Sequence, residues 1–309
     1  MDVAVLGAGV TGRGITQVCA AAGHGVTLHD TEVNDVMDGI DAVEAGLDDA
    51  VEAGTLAGET RDAAVDRLEG TTGLEAAVGD ADLVVDAGER DRDGRLELFA
   101  EVEELVDPEA VLATSATTVS VTATATGLRQ PGRAVGLYFS DPPSVPLVEV
   151  VVAEQTTEDT RDRAVAFVEG LDRPSVVVRD TPGFAASRLA LALSVEAMTM
   201  LDERVAGVEA VDRAMRAGHD HPVGPLEAAD RAGLDARLAE LEHLADSLGE
   251  RFRPPPVLRE KVDRGHLGTK SGEGFYVWEH GDPVEPSDPD PTPDLRTESP
   301  TDPDGHDGP

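Results

Sequence analysis

Six consecutive residues near the amino terminus, Gly7-Ala8-Gly9-Val10-Thr11-Gly12, have the types and the spacing to hold a phosphorylated ligand. In a G-x-G-x-x-G run the first glycine permits a tight turn and the second lets a pyrophosphate approach the backbone. The third lets a helix pack close to the preceding strand. A helix starting there presents unpaired N–H groups and its positive dipole end to phosphate. Asp30 follows at close to the expected distance along the chain, about 20 residues on, for an acid that bonds the ribose hydroxyls. Its carboxylate would repel a 2′-phosphate, so the expected cofactor is NAD rather than NADP. Arg13, beside the phosphates, would help either one. The competing reading of the glycines alone is a tight βα turn with no ligand.

These residues need a strand before them and a helix after them, and the pattern supplies both. Residues 3–6 form a short Val-rich run suited to a buried strand. Residues 15–22 read as a helix stopped by Gly23 and Gly25, and residues 26–29 as the second strand. Residues 31–70 are acidic, Ala-rich and helical in pattern, with breaks at Gly54 and Gly58. The α/β rhythm then returns, with strands expected at 83–85, 110–114, 134–139, 147–153 and 175–179 and helices at 95–106 and 157–171. Thr114, Ser115 and Thr117 stand at the carboxyl end of a strand, where such folds bind ligands, although plain helix capping would also use them. After Asp180 the rhythm becomes helical, with segments at 184–201, 208–218 and 226–248 and a sharp turn at Pro222, Gly224 and Pro225. The expected fold class is an α/β Rossmann-type domain over residues 1–179 followed by an all-α domain over 180–280. Residues 281–309 alternate proline with acids and are expected to form a disordered tail.

The chain of 309 residues carries 62 acidic and 25 basic side chains, a formal net charge of -37, which excludes any general attraction to nucleic acid or anionic membrane. Disorder is a poor explanation of that charge, because 40% of the residues are hydrophobic and periodically placed. A folded protein with an acidic surface, of the halophilic type, is the expectation. Lys261 and Lys270 are the only lysines. Cys19 is the only cysteine, so an intrachain disulfide is impossible and a reducing, cytoplasmic setting is expected. Neither a signal peptide nor an apolar run of membrane length is visible. His219 and His221 lack Cys or acid partners at ligand spacing, and no metal is expected.

Several stretches taken together resemble the 3-hydroxyacyl-CoA dehydrogenase family: VAVLGAGVTGRGITQ, DADLVVDA, ATSATTVSVT, GLYFSDPP with LVEVV, DTPGFAASRL, HPVGPLE with GLD, and GTKSGEGFYVW. The resemblance covers roughly residues 3–278. It implies a Rossmann domain that binds NAD, a helical substrate domain through which the protein forms a homodimer, and NAD-linked oxidation of a 3-hydroxyacyl-CoA in fatty acid metabolism. It carries cofactor contacts onto Gly7, Ala8, Gly9, Val10, Thr11, Gly12, Asp30, Arg95, Thr117 and Lys270.

At the reaction centre the residues depart from the family pattern. The family uses a His, oriented by a Glu, to take the proton of the substrate hydroxyl, with an Asn and a Ser beside it. By resemblance the His position is Tyr138, the Glu is Glu149, the Asn position is Ser187 and the Ser position is Thr117. Arg90 stands where the family has a Glu near the nicotinamide, and Arg95 where a Lys follows. A tyrosine hydroxyl in water titrates at about 10, which makes it a weaker base than imidazole near neutral pH. Three readings stay open: a dehydrogenase with altered chemistry, a catalytically silent NAD or acyl-CoA binder, and a dehydrogenase of another hydroxy acid. Tyr138, Glu149 and Ser187 are the candidate catalytic residues.

Overall fold

A computed structural model describes residues 1–117 and 119–288 and divides the chain into two compact units, Met1–Ala185 and Ala186–Pro309. In the first unit the strands are β1 (Asp2–Leu6), β2 (Gly25–His29), β3 (Leu68–Thr71), β4 (Leu83–Asp86), β5 (Val111–Thr114), β6 (Ala134–Phe139), β7 (Val148–Val152) and β8 (Ser175–Arg179). Its helices are α1 (Val10–Ala21), α2 (Val33–Glu52), α3 (Gly58–Val65), α4 (Leu74–Val78), α5 (Arg92–Leu105), α6 (Val121–Ala125) and α7 (Glu158–Gly170).

The strands form one sheet in the order β3-β2-β1-β4-β5-β6-β7-β8, with every pair parallel except β6 and β7. Strand alternation sends Val3 and Val5 of β1 into one buried cluster, with Ile15 and Leu28, and Ala4 and Leu6 into another, with Val84 and Leu112. Apolar cover on both faces explains why the inner strands read as continuous Val and Leu runs. The chain winds outward from β1 through β2 to β3 and returns to β1's other side as β4. The sheet therefore switches direction between β1 and β4, above whose carboxyl ends ligands bind in doubly wound folds.

The short elements β3, α4 and α6 escape the periodicity because they are only four or five residues long. Strand β3 also lies at the sheet edge and contains Glu69 and Gly70 in place of an apolar run.

The second unit contains α8 (Ala186–Asp202), α9 (Val208–His219), α10 (Pro225–Ala232), α11 (Leu234–Leu248) and α12 (Pro256–Asp263). The single helix expected over 226–248 is two, because Gly233 takes a φ of 94°, outside the helical region. The helical unit also carries a hairpin of β9 (Tyr276–Glu279) and β10 (Asp282–Pro286), which the all-α expectation left out. This corrects the start of the expected tail. Pro283 and Pro286 are tolerated in β10 because it is the outer strand of a two-stranded sheet, and Ser287 and Asp288 are held by Lys261 Nζ at 2.7 and 2.8 Å. The rest of the expected tail, 289–309, lies outside the described residues.

Two buried aspartates organise this unit. Asp230 accepts hydrogen bonds from Phe275 N, Tyr276 N and Trp278 Nε1 at 2.8 to 2.9 Å. Asp212 accepts from Leu226 N, Glu227 N and the Tyr276 hydroxyl at 2.8 to 3.0 Å. Burial raises both carboxyls above the usual aspartate range, and these donors oppose it.

Candidate active site

Strand β1 ends at Leu6, and the chain turns at Gly7 with a φ of +115°. A Cβ on Gly7 would lie 2.8 Å from Gly88 Cα, and one on Gly12 only 1.8 Å from the Gly7 carbonyl oxygen. Those two glycines are therefore required by packing. Gly9 differs, since a Cβ there would meet nothing within 4 Å. It is the N-cap of α1 and no side chain caps that helix, so the first turn keeps its N–H groups for a ligand. Asp30 Oδ2 accepts from Ala8 N at 2.7 Å and Oδ1 from Thr31 N at 2.7 Å, which ties the end of β2 to the glycine loop. His29 is held below its usual range by burial, partly offset by Asp30, so it adds no positive charge beside that carboxylate near neutral pH. Gly7, Gly9, Arg13 and Asp30 line a cleft of about 420 Å³.

A second cleft, of about 590 Å³, shares Thr11, Ala87, Gly88 and Glu89 with the first and runs on past the ends of β4, β5 and β6. Its wall includes a buried ion pair, Arg95 Nε to Asp86 Oδ2 at 2.7 Å, with both side chains 1% exposed. Arg95 also donates to Gly88 O at 3.0 Å, while its buried Nη1 has no acceptor among the described residues. Beyond it come Ser115, Thr117, Tyr138 and Ser140. Tyr138 and Glu149 are register partners across the antiparallel β6 and β7. The Tyr138 ring lies against Phe184, with centroids 5.5 Å apart, and buried Glu149 accepts from Ala185 N at 2.8 Å. After β6 the chain bends at Pro142, and α1 closes on it because Gly14 has no Cβ; one there would be 2.2 Å from the Pro142 oxygen.

A bare glycine facing open space, an uncapped helix N-terminus, an acid at the end of β2 and a leftover donor on the cleft wall fit an extended dinucleotide. Such a ligand would lie along both clefts, one end beside Asp30 and the other beside Tyr138. Of the residues expected from sequence, Gly7, Ala8, Gly9, Val10, Thr11 and Asp30 line the first cleft, while Gly12 packs beneath it. Arg95, Thr117 and Tyr138 line the second cleft, with Thr11 at the junction. Ser187 stands in the first turn of α8, in the second unit. Lys270 is there too, with Nζ 2.6 Å from Asp235 Oδ2. The pairing of Asp86 with Arg95 and the place of Ser140 were not foreseen. The rule that ligands meet strand carboxyl ends could have found both, since Asp86 ends β4 and Ser140 follows β6.

Comparison with known proteins agrees with this geometry. Residues 2–181 match the 3-hydroxyacyl-CoA dehydrogenase NAD binding domain and residues 183–278 the C-terminal domain of the same family. A probable 3-hydroxybutyryl-CoA dehydrogenase of Deinococcus radiodurans is 37% identical over 280 residues, which span 90% of this chain and 100% of that protein. The 3-hydroxyadipyl-CoA dehydrogenase of Escherichia coli is 36% identical over 89% of this chain and 58% of its own length. The crystal structure of (S)-3-hydroxybutyryl-CoA dehydrogenase from Ralstonia eutropha superposes with a TM-score of 0.84 at 31% identity, covering 90% of this chain and 99% of that one. With the doubly wound NAD-binding unit, the helical unit after it and both domain matches in order, this chain belongs to the 3-hydroxyacyl-CoA dehydrogenase family.

Proposed function

We propose that the protein is an NAD-dependent oxidoreductase that interconverts a 3-hydroxyacyl-CoA and its 3-oxoacyl-CoA, with a tyrosine at the proton-transfer position. The observation that carries this reading is the place of Tyr138, on the wall of the nicotinamide-side cleft and in register with buried Glu149. NAD, when bound, supplies the hydride acceptor. The Tyr138 hydroxyl exchanges the proton of the substrate oxygen, Glu149 holds that side of the site in place, and Ser187 contributes a second hydroxyl. Gly7 to Gly12, Asp30, Arg95, Thr117 and Lys270 are the proposed cofactor contacts.

A catalytically silent NAD or acyl-CoA binder is the second reading. Neither cleft has a histidine among its described lining residues, which favours it. Acetoacetyl-CoA with NADH at molar salt, run beside calorimetric titration of NADH, separates the two. Turnover supports the dehydrogenase, whereas NADH binding without turnover selects the silent protein.

The protein is further proposed to act as a halophilic, cytoplasmic homodimer. Support comes from the net charge of -37 and from Leu189 and Val205, 72% and 56% exposed in the helical unit. Among the described residues no helix is long and apolar enough to cross a membrane. Sedimentation at molar salt should give twice the chain mass, and a monomer would rule the dimer out.

A further inference from the structure

We propose that Arg90 makes the site select the reduced nucleotide, so that the protein binds NADH more tightly than NAD⁺. The inference rests on the dinucleotide reading above and deepens it. Arg90 is half-buried and lines only the second cleft, on the nicotinamide side. Its guanidinium lies over Gly88, one of the four residues that line both clefts: Cζ, Nη2 and Nε are 3.4 to 3.5 Å from where a Gly88 Cβ would be. The side chain is thus held at the point where the first cleft passes into the second.

The charges around it do not cancel. Asp86 is the buried carboxylate that both arginines approach, and its Oδ2 is taken by Arg95 Nε at 2.7 Å. Arg90 Nε is 3.7 Å from the other oxygen of the same carboxylate. Two guanidinium groups therefore share one carboxylate, leaving one positive charge in excess among these three side chains. Glu89 and Asp91 also line it, but both are exposed and Asp91 caps α5 by accepting from Gly94 N at 2.8 Å. Solvent and salt screen those two far more than they screen the half-buried group.

The oxidised nicotinamide ring carries a positive charge and the reduced ring carries none. A fixed cation beside the ring opposes the first and leaves the second untouched. Such a preference can shift a population only by the difference in affinity for the two forms. The same charge makes bound NAD⁺ a stronger hydride acceptor, because reduction removes a positive charge from beside Arg90.

Dissociation constants for NADH and NAD⁺, measured by titration calorimetry at molar salt, test this without any turnover. The wild type should favour NADH. Arg90→Gln should lower that preference by about three- to tenfold, Arg90→Glu should lower it further, and Arg90→Lys should keep it. Arg92→Glu makes the same charge change as Arg90→Glu, on an exposed residue outside the cleft lining, and should leave the preference alone. If both nucleotides bind and Arg90→Glu stays within about twofold of the wild-type ratio, the proposal is overturned. An equal loss of preference in Arg92→Glu would overturn it too, since the effect would then be one of general charge. A wild type that binds neither nucleotide removes the dinucleotide reading itself.

Discussion

Asp30 carries one proposed contact and one that holds the loop, and a single substitution removes both. It lines the first cleft, where it is the proposed ribose contact, and it also holds the glycine loop through Ala8 N. Asp30→Ala should relax the preference for NADH over NADPH and weaken NADH itself, each by about tenfold. If the wild type binds NADPH at least as well as NADH, the ribose assignment is wrong. Tyr138 poses the sharper question, because its partner Glu149 is already buried and in register. Tyr138→His should create or raise dehydrogenase activity, since Glu149 can orient an imidazole and stabilise its protonated form. The gain has a ceiling of about 10²- to 10⁴-fold, the usual worth of general acid-base catalysis. Adding Ser187→Asn should exceed the single change. Should Tyr138→Phe abolish a measured wild-type activity that Tyr138→His cannot support, tyrosine is itself the working acid-base group.

The glycine loop and the aspartate-braced hairpin respond differently to mutation because space is distributed differently around them. Gly9→Ala adds a methyl where nothing lies within 4 Å, so the melting temperature should hold while NADH binding falls by at least about tenfold. Gly12→Ala drives a methyl into the Gly7 carbonyl, 1.8 Å away, and should destabilise the fold by about 1–3 kcal/mol in chemical denaturation. Equal loss of stability in both would show that the loop has no open side for a pyrophosphate. In the helical unit, Asp230→Asn keeps the shape but turns an N–H₂ toward Phe275 N, Tyr276 N or Trp278 Nε1. One buried donor is then left unpaired, and unfolding in urea should show a loss of about 1–3 kcal/mol. Gly268 and Gly274 explain part of the GTKSGEGFYVW stretch in the same terms. A Cβ on either would fall 2.1 Å from an Asp230 oxygen, so the conformation of that segment is dictated by the aspartate it wraps.

For the molecule as a whole, a net charge of -37 opposes compaction unless it is screened, so the melting temperature should climb steeply between low and molar salt. A flat curve over that range would remove the halophilic reading. The sequence by itself determined the kind of fold, because strand and helix periods, the glycine spacing and Asp30 are local signals that neighbouring residues carry. It also pointed to the family through separate stretches in a fixed order. It did not show that β6 and β7 run antiparallel, which is what sets Tyr138 opposite Glu149, nor that Asp86 is the partner of Arg95. It likewise hid the break at Gly233 and the strand Asp282–Pro286, where a backbone torsion and a pairing partner outweigh composition. Those features depend on which distant residues share a register or a buried charge. Only the folded chain decides that, because the free energy of a buried ion pair or a cross-strand contact belongs to two positions at once.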